Sequence, residues 1–111
     1  MTPERVYSET VRHAAALLGT RVRQGRIARG WTVRQLAERA GISPPTLLKV
    51  EHGDPSVALG TAFDVAVLTG VPLFFDDRRR LASEAVRERE YTALLARRVR
   101  PVTDEPDYES F

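Results

Sequence analysis

Apolar positions along the chain recur at spacings of three and four rather than in alternation, so the pattern predicts helices and almost no strand. Between Ser8 and Arg29, the residues Val11, Ala15, Leu18 and Val22 fall on one face of a long helix. Ser8 suits the N-cap and Glu9 the first turn, and Gly30 stops the helix after Arg29. Gly19 and Gly25 each weaken that helix by about 1 kcal/mol relative to alanine.

A short helix follows over 32–40. Thr32 and Gln35 have capping-box spacing, Leu36, Ala37 and Ala40 form the inner side, and Gly41 ends the element. Arg34, Glu38 and Arg39 stay in water. Ser43 caps a third helix, over 43–52, with Leu47 and Val50 inward and Thr46, Lys49 and His52 elsewhere around it. Pro44 and Pro45 are tolerated there, because the N–H groups they lack have no intrahelical partner in a first turn. Gly53-Asp54-Pro55 breaks the chain. Ser56 is expected to cap a fourth helix whose apolar side is Val57, Leu59, Phe63, Ala66 and Val67, closed by Gly70. Pro72 opens a short apolar turn, Leu73-Phe74-Phe75.

Two short helices joined by a glycine-containing turn have the pattern of a helix-turn-helix. The same local signals fit an αα-hairpin with no role on DNA. Further on, Leu81, Ala82, Ala85, Val86, Ala93, Ala96 and Val99 mark one side of a helix to about Arg98, interrupted by Glu88 and Arg89. That helix either packs back on its own domain or serves a dimer or partner. Pro101 ends it, and the acidic tail 101–111 is expected to be disordered. Tyr108 and Phe111 are unusual in a solvating tail and can anchor a partner. The expected fold class is all-α, with four to five helices in a small core. Residues 1–16 extend the first helix, 17–77 form the helix-turn-helix domain, 78–100 form the C-terminal helix, and 101–111 the tail.

Length and composition narrow the function classes. A chain of 111 residues holds one small domain with short extensions. With no cysteine there is no disulfide scaffold, thiolate zinc site or cysteine nucleophile. No apolar run of membrane-spanning length occurs, and the N-terminus lacks the apolar core of a secretory signal, so a cytoplasmic location is expected. Net charge is +4 over residues 1–55, +2 over 56–100 and −4 over 101–111. A basic body with an acidic end is compatible with nucleic acid. Sixteen of the 17 basic residues are arginine and the other is Lys49, a bias that a GC-rich genome produces as readily as a function does.

Catalytic constellations are absent from the pattern. His13 and His52 lie on different helices without metal spacing, and Ser43 and Ser56 read as caps without a neighbouring base. Asp76-Asp77 precedes Arg78-Arg79-Arg80 and reads as a solvated turn. The expectation is a protein that is not an enzyme, with no metal and no cofactor.

The stretch Gly30-Trp31-Thr32 through Leu36-Ala37-Glu38-Arg39-Ala40-Gly41-Ile42-Ser43 to Thr46-Leu47, Val50-Glu51 and Gly53 resembles the Xre (Cro/repressor-type) helix-turn-helix family. The resemblance runs from about Leu17 to Phe75. It implies a lambda-repressor-like fold whose second motif helix enters the major groove, and a homodimer on an inverted-repeat operator in double-stranded DNA. It also implies a repressor associated with the nucleoid. The string from Lys49-Val50-Glu51-His52 through Gly53-Asp54-Pro55 to Val65-Ala66 resembles HipB-like antitoxins, which implies a HipA-type kinase toxin as partner. The alternatives are a stand-alone regulator, and an interaction protein that mainly sequesters a partner.

Carried onto this chain, the family's DNA-facing positions are Ser43, Pro44, Pro45, Thr46 and Lys49. Two of the usual polar readers are proline here, which donates no hydrogen bond and meets only a thymine methyl or shapes the backbone. Lys49 can reach guanine O6/N7 or a phosphate, and Thr46 can do either. Val33 stands where the family often has a phosphate-binding glutamine, so that duty passes to Thr32, the free N–H groups of its helix, and Arg34. Arg26 and Glu51 match a family pair that sets the angle between the first helix and the recognition helix.

Overall fold

The computed structural model of the chain describes residues 6–99. Tyr108, Phe111 and the rest of the acidic tail lie outside the described residues, as do residues 1–5. Five helices follow one another: α1 (Glu9–Ala28), α2 (Val33–Ala40), α3 (Pro44–Glu51), α4 (Leu59–Leu68) and α5 (Arg78–Val99). No strand occurs among the described residues, so the class is all-α. The chain divides between Leu73 and Phe74 into a unit holding α1 to α4 and a unit holding α5. Phe74, at that boundary, has φ 69°, a left-handed backbone uncommon for an aromatic residue.

Local hydrogen bonds set most helix ends. The Ser8 hydroxyl oxygen accepts from the Val11 N–H at 3.2 Å and starts α1. After α2, the Gly41 N–H donates to the Glu38 carbonyl at 3.2 Å and the Ile42 N–H to the Ala37 carbonyl at 3.0 Å. This paired closure needs a left-handed residue, and Gly41 supplies it with φ 67°. The chain then turns into α3 within three residues. The same two-bond closure ends α1, α3 and α4.

The start of α4 differs from the expectation. Ser56 is not its cap: the helix begins at Leu59 behind Ala58, with no side-chain cap bond. Asp54 captures Ser56 first, its Oδ1 accepting from the Ser56 N–H at 2.8 Å and from the Ser56 hydroxyl at 2.6 Å. Those two bonds, with a smaller contribution from the Lys49 charge, hold the Asp54 carboxyl below the usual carboxylate range. The reverse holds at α5, where Asp77 is more than a solvated turn residue. Its Oδ1 accepts from the Arg79 N–H at 2.9 Å at the helix start.

The core of the first unit is Val22, Leu36, Ala37, Leu47, Val50, Val65 and Ala66. On α1 the apolar face reaches the core only at its C-terminal half: Val22 is buried, Leu18 and Ala15 are half-buried, and Val11 is exposed. On α4 the expected side holds in part: Ala66 is fully buried and Val57 packs against the core. Leu59 and Val67 are exposed and Val65 is fully buried. Because α4 is apolar almost all round, its period carries little directional information.

Gly19 and Gly25 have a role that helix propensity hides. A β-carbon at Gly19 falls 2.6 Å from the Glu51 carbonyl oxygen and closer still to that of Val50. A β-carbon at Gly25 falls 2.8 Å from the Thr69 β-carbon and closer still to the Thr69 carbonyl oxygen. The missing side chains let α1 lie directly against the ends of α3 and α4.

In the second unit, α5 exposes Val86, Tyr91, Leu94 and Leu95. Its apolar side chains are spread around the helix and do not form one narrow stripe. The Arg80 guanidinium stacks on the Phe75 ring at 4.4 Å.

Candidate nucleic-acid interface

The starts of α2 and α3 carry the residues singled out from the sequence, and their donor inventories are opposite. At α2, the Thr32 hydroxyl oxygen accepts from the Gln35 N–H at 3.1 Å while Gln35 Oε1 accepts from the Thr32 N–H at 2.8 Å. This reciprocal box leaves the Val33 and Arg34 N–H groups without an intrahelical acceptor. They sit at the positive end of the helix dipole, beside the exposed Arg34 side chain. The Thr32 hydroxyl keeps its proton for donation outward. That combination suits a phosphate.

At α3, Pro44 and Pro45 fill the first two helical positions and have no N–H. The next N–H, on Thr46, is bonded to the Ser43 hydroxyl oxygen at 3.3 Å. The two hydroxyls of Ser43 and Thr46 are bonded to each other at 2.9 Å, which uses one of their protons. The first turn of α3 therefore presents no free backbone donor.

The outward side of α3 consists of Pro44, Pro45, Leu48, Lys49 and His52, all exposed, with Thr46 half-buried beside them. Leu48 follows Pro44 by four residues and Pro45 by three, so it stands at the centre of this side. Sequence reasoning did not single it out. The signal was present: with Leu47 and Val50 fixed as the inner face, a leucine one step past Leu47 points out.

One bidentate pair reaches α3, and three further contacts join the elements around it. Arg26 Nε donates to Glu51 Oε2 at 2.8 Å and Arg26 Nη2 to Glu51 Oε1 at 3.0 Å, a bidentate pair from α1 to the end of α3. The Arg26 and Glu51 side chains are 13% and 3% exposed, so the pair is largely out of water. Arg26 Nη1 also donates to the Trp31 carbonyl at 3.0 Å, which ties in the segment entering α2. The Trp31 ring carries the Arg39 guanidinium at 4.4 Å. Arg29 Nη1 donates to the Thr69 carbonyl at 2.9 Å, joining the end of α1 to the end of α4.

His13 lies on α1 and His52 at the end of α3, and no group of three or more metal-ligating side chains occurs among the described residues. No helix among them is long and apolar enough to cross a membrane.

Residues 22–75 match the helix-turn-helix family model, a span that covers α2, α3 and α4. The chain is also similar to an uncharacterized transcriptional regulator in the ATPase CF(0) region of Rhodospirillum rubrum. The two are 35% identical over 75 residues, which is 66% of this chain and 69% of that protein. No solved structure matches the chain. With the two short helices, their glycine turn and the matched span in agreement, the chain belongs to the Xre-type helix-turn-helix family of DNA-binding regulators.

Proposed function

We propose that this protein is a sequence-specific transcriptional repressor, not an enzyme, that binds an inverted-repeat operator as a homodimer. The observation that carries the reading is the pairing of an anion-ready helix start at α2 with a solvent-facing side of α3 beside it. In this reading the Val33 and Arg34 N–H groups, the Thr32 hydroxyl and the Arg34 side chain hold backbone phosphates. They set the register, and α3 meets the base edges in the major groove. A two-fold dimer places its two copies of α3 about 34 Å apart along the duplex, one helical turn. Arg26 and Glu51 act as positioning residues.

Lys49 is the cation on the outward side of α3, and its replacement tests the reading. Lys49→Ala is expected to weaken operator binding by about 1–3 kcal/mol, with relaxed preference at one base pair, where the ammonium meets guanine. If it meets phosphate instead, all sequences weaken together and the salt dependence of binding becomes shallower. Affinity and salt slope, measured on operator and unrelated duplexes, separate the two. Unchanged binding to every duplex removes Lys49 from the interface.

The more specific role we propose is that of an antitoxin repressing its own operon, paired with a HipA-type kinase toxin. The stretch from Lys49 to Ala66 that resembles HipB-like proteins supports it, and the partner contact is assigned to Tyr108 and Phe111. Co-purification with a kinase-like protein encoded beside it, abolished by deletion after Arg100, is the expected result. A complex that forms equally well without residues 101–111 contradicts the tail assignment. A second reading, that the protein mainly holds a partner, is favoured by Tyr91 and Leu94, which are 60% and 57% exposed on α5. In that case Tyr91→Ala or Leu94→Ala abolishes the complex while leaving operator affinity intact.

A further inference from the structure

We propose that the outward side of α3 reads the C5-methyl groups of pyrimidines in the major groove, with Leu48 as the central reader. The inference rests on the DNA-binding reading and names what that surface selects. Three of the five exposed side chains on this side, Pro44, Pro45 and Leu48, carry no side-chain hydrogen-bonding atom. The first turn adds no backbone donor, because two of its N–H groups are missing and the third is bonded to Ser43. Leu48 is 38% exposed while its neighbours Leu47 and Val50 are 0% and 4% exposed, so packing of the fold leaves Leu48 partly outside.

Such a face has one complement among base edges. Guanine N7 and O6, adenine N7 and N6, and cytosine N4 all require a hydrogen-bond partner in the groove. Set against a leucine, each loses its water and gains nothing. Only the thymine methyl is apolar, and the methyl of 5-methylcytosine occupies the same place. The selectivity that follows is for methylated over unmethylated pyrimidines opposite Leu48, with the polar reading left to Lys49 at the edge of the same face. Phosphates held at α2 supply the affinity that a methyl contact lacks.

The test uses the full-length protein and random-sequence duplex libraries copied with either thymidine or deoxyuridine triphosphate, which differ only in the C5-methyl group. An enriched thymine-containing duplex is expected, and its all-uracil counterpart is expected to bind about fourfold more weakly for each methyl group removed from the face of α3. In the selected duplex, a thymine opposite Leu48 replaced by 5-methylcytosine, paired with guanine, retains more affinity than the same position replaced by cytosine. Leu48→Ala, with its melting curve recorded, discriminates the thymine from the uracil duplex less than the wild type does, by about the fourfold worth of one methyl group. Equal binding of both duplexes by the wild-type protein overturns the inference and leaves DNA binding standing; this arm needs no variant to fold. Wild-type discrimination retained by Leu48→Ala removes Leu48 as the reader, and equal weakening with cytosine and 5-methylcytosine shows that the methyl is not what is read. Failure of both libraries to enrich any duplex sinks the DNA-binding reading itself.

Discussion

Arg26→Ala is expected to destabilise the fold by about 3–5 kcal/mol, because it strands the Glu51 carboxylate in a site from which water is largely excluded. Both Glu51 oxygens receive their bonds from this one guanidinium, and its third nitrogen serves the Trp31 carbonyl. For a domain of this size each kcal/mol moves the melting midpoint by roughly 4–8 °C, so the variant should melt well over 10 °C below the wild type. The double variant Arg26→Met, Glu51→Leu removes both charges and is expected to be less destabilised than Arg26→Ala alone. A melting midpoint for Arg26→Ala equal to that of the wild type shows that the pair contributes nothing. Operator binding by Arg26→Ala is expected to fall with the folded fraction, and to return where the folded fraction is restored.

The second large effect runs against helix propensity. Glycine to alanine inside a helix ordinarily stabilises by about 0.5–1 kcal/mol. Gly19→Ala is expected to do the opposite, by about 1–3 kcal/mol, since its β-carbon meets carbonyl oxygens of Val50 and Glu51 that belong to the backbone and cannot rotate away. Relief requires α3 to move off α1, which also strains the Arg26–Glu51 pair. Gly60, in α4, is the control: a β-carbon there meets nothing within 4 Å, and Gly60→Ala is expected to be neutral or stabilising. Denaturant midpoints of the two variants decide the matter. Stabilisation by Gly19→Ala contradicts the close approach of the two helices.

These two predictions mark what was and was not legible in the chain. The starts of α1, α2 and α3 were legible because Ser8, Thr32, Gln35 and Ser43 act within three residues of themselves. Val22, Leu36, Leu47 and Val50 were legible as core because each follows the helical period in an element with a polar side. Gly19 and Gly25 were misleading, since the reason for them is a neighbour more than 30 residues away that no local pattern announces. Ser56 failed as a cap because α4 begins three residues later, at Leu59, while Asp54 holds the Ser56 N–H and hydroxyl in the preceding turn. The apolar side of α4 was legible only in part, at Ala66, because a helix apolar nearly all round shows only a weak preference for one face. The link between Arg26 and Glu51 came from the family resemblance. Spacing alone gives no reason to join two residues 25 positions apart.

The assignment at α2 and α3 is of another kind. Thr32 and Ser43 entered as sequence features of helix starts, and the structure adds how their hydroxyls are committed. Thr32 leaves two backbone N–H groups open, whereas Ser43 and the prolines leave none. That contrast depends on bond geometry in each first turn. It gives the surface one end with open backbone donors and one side whose first turn has none.

An NMR titration of the isotopically labelled full-length protein with a selected operator duplex locates the bound DNA on the molecule. The backbone amides of Val33 and Arg34 and the methyl groups of Leu48 are expected to shift most, with the core methyls of Val65 unmoved. Saturable binding that leaves Val33, Arg34 and Leu48 unperturbed while shifting Val11, Leu18 and Leu59, which line a groove of α1 and α4 beside Val50 and Asp54, would contradict the assignment of α2 and α3 to DNA.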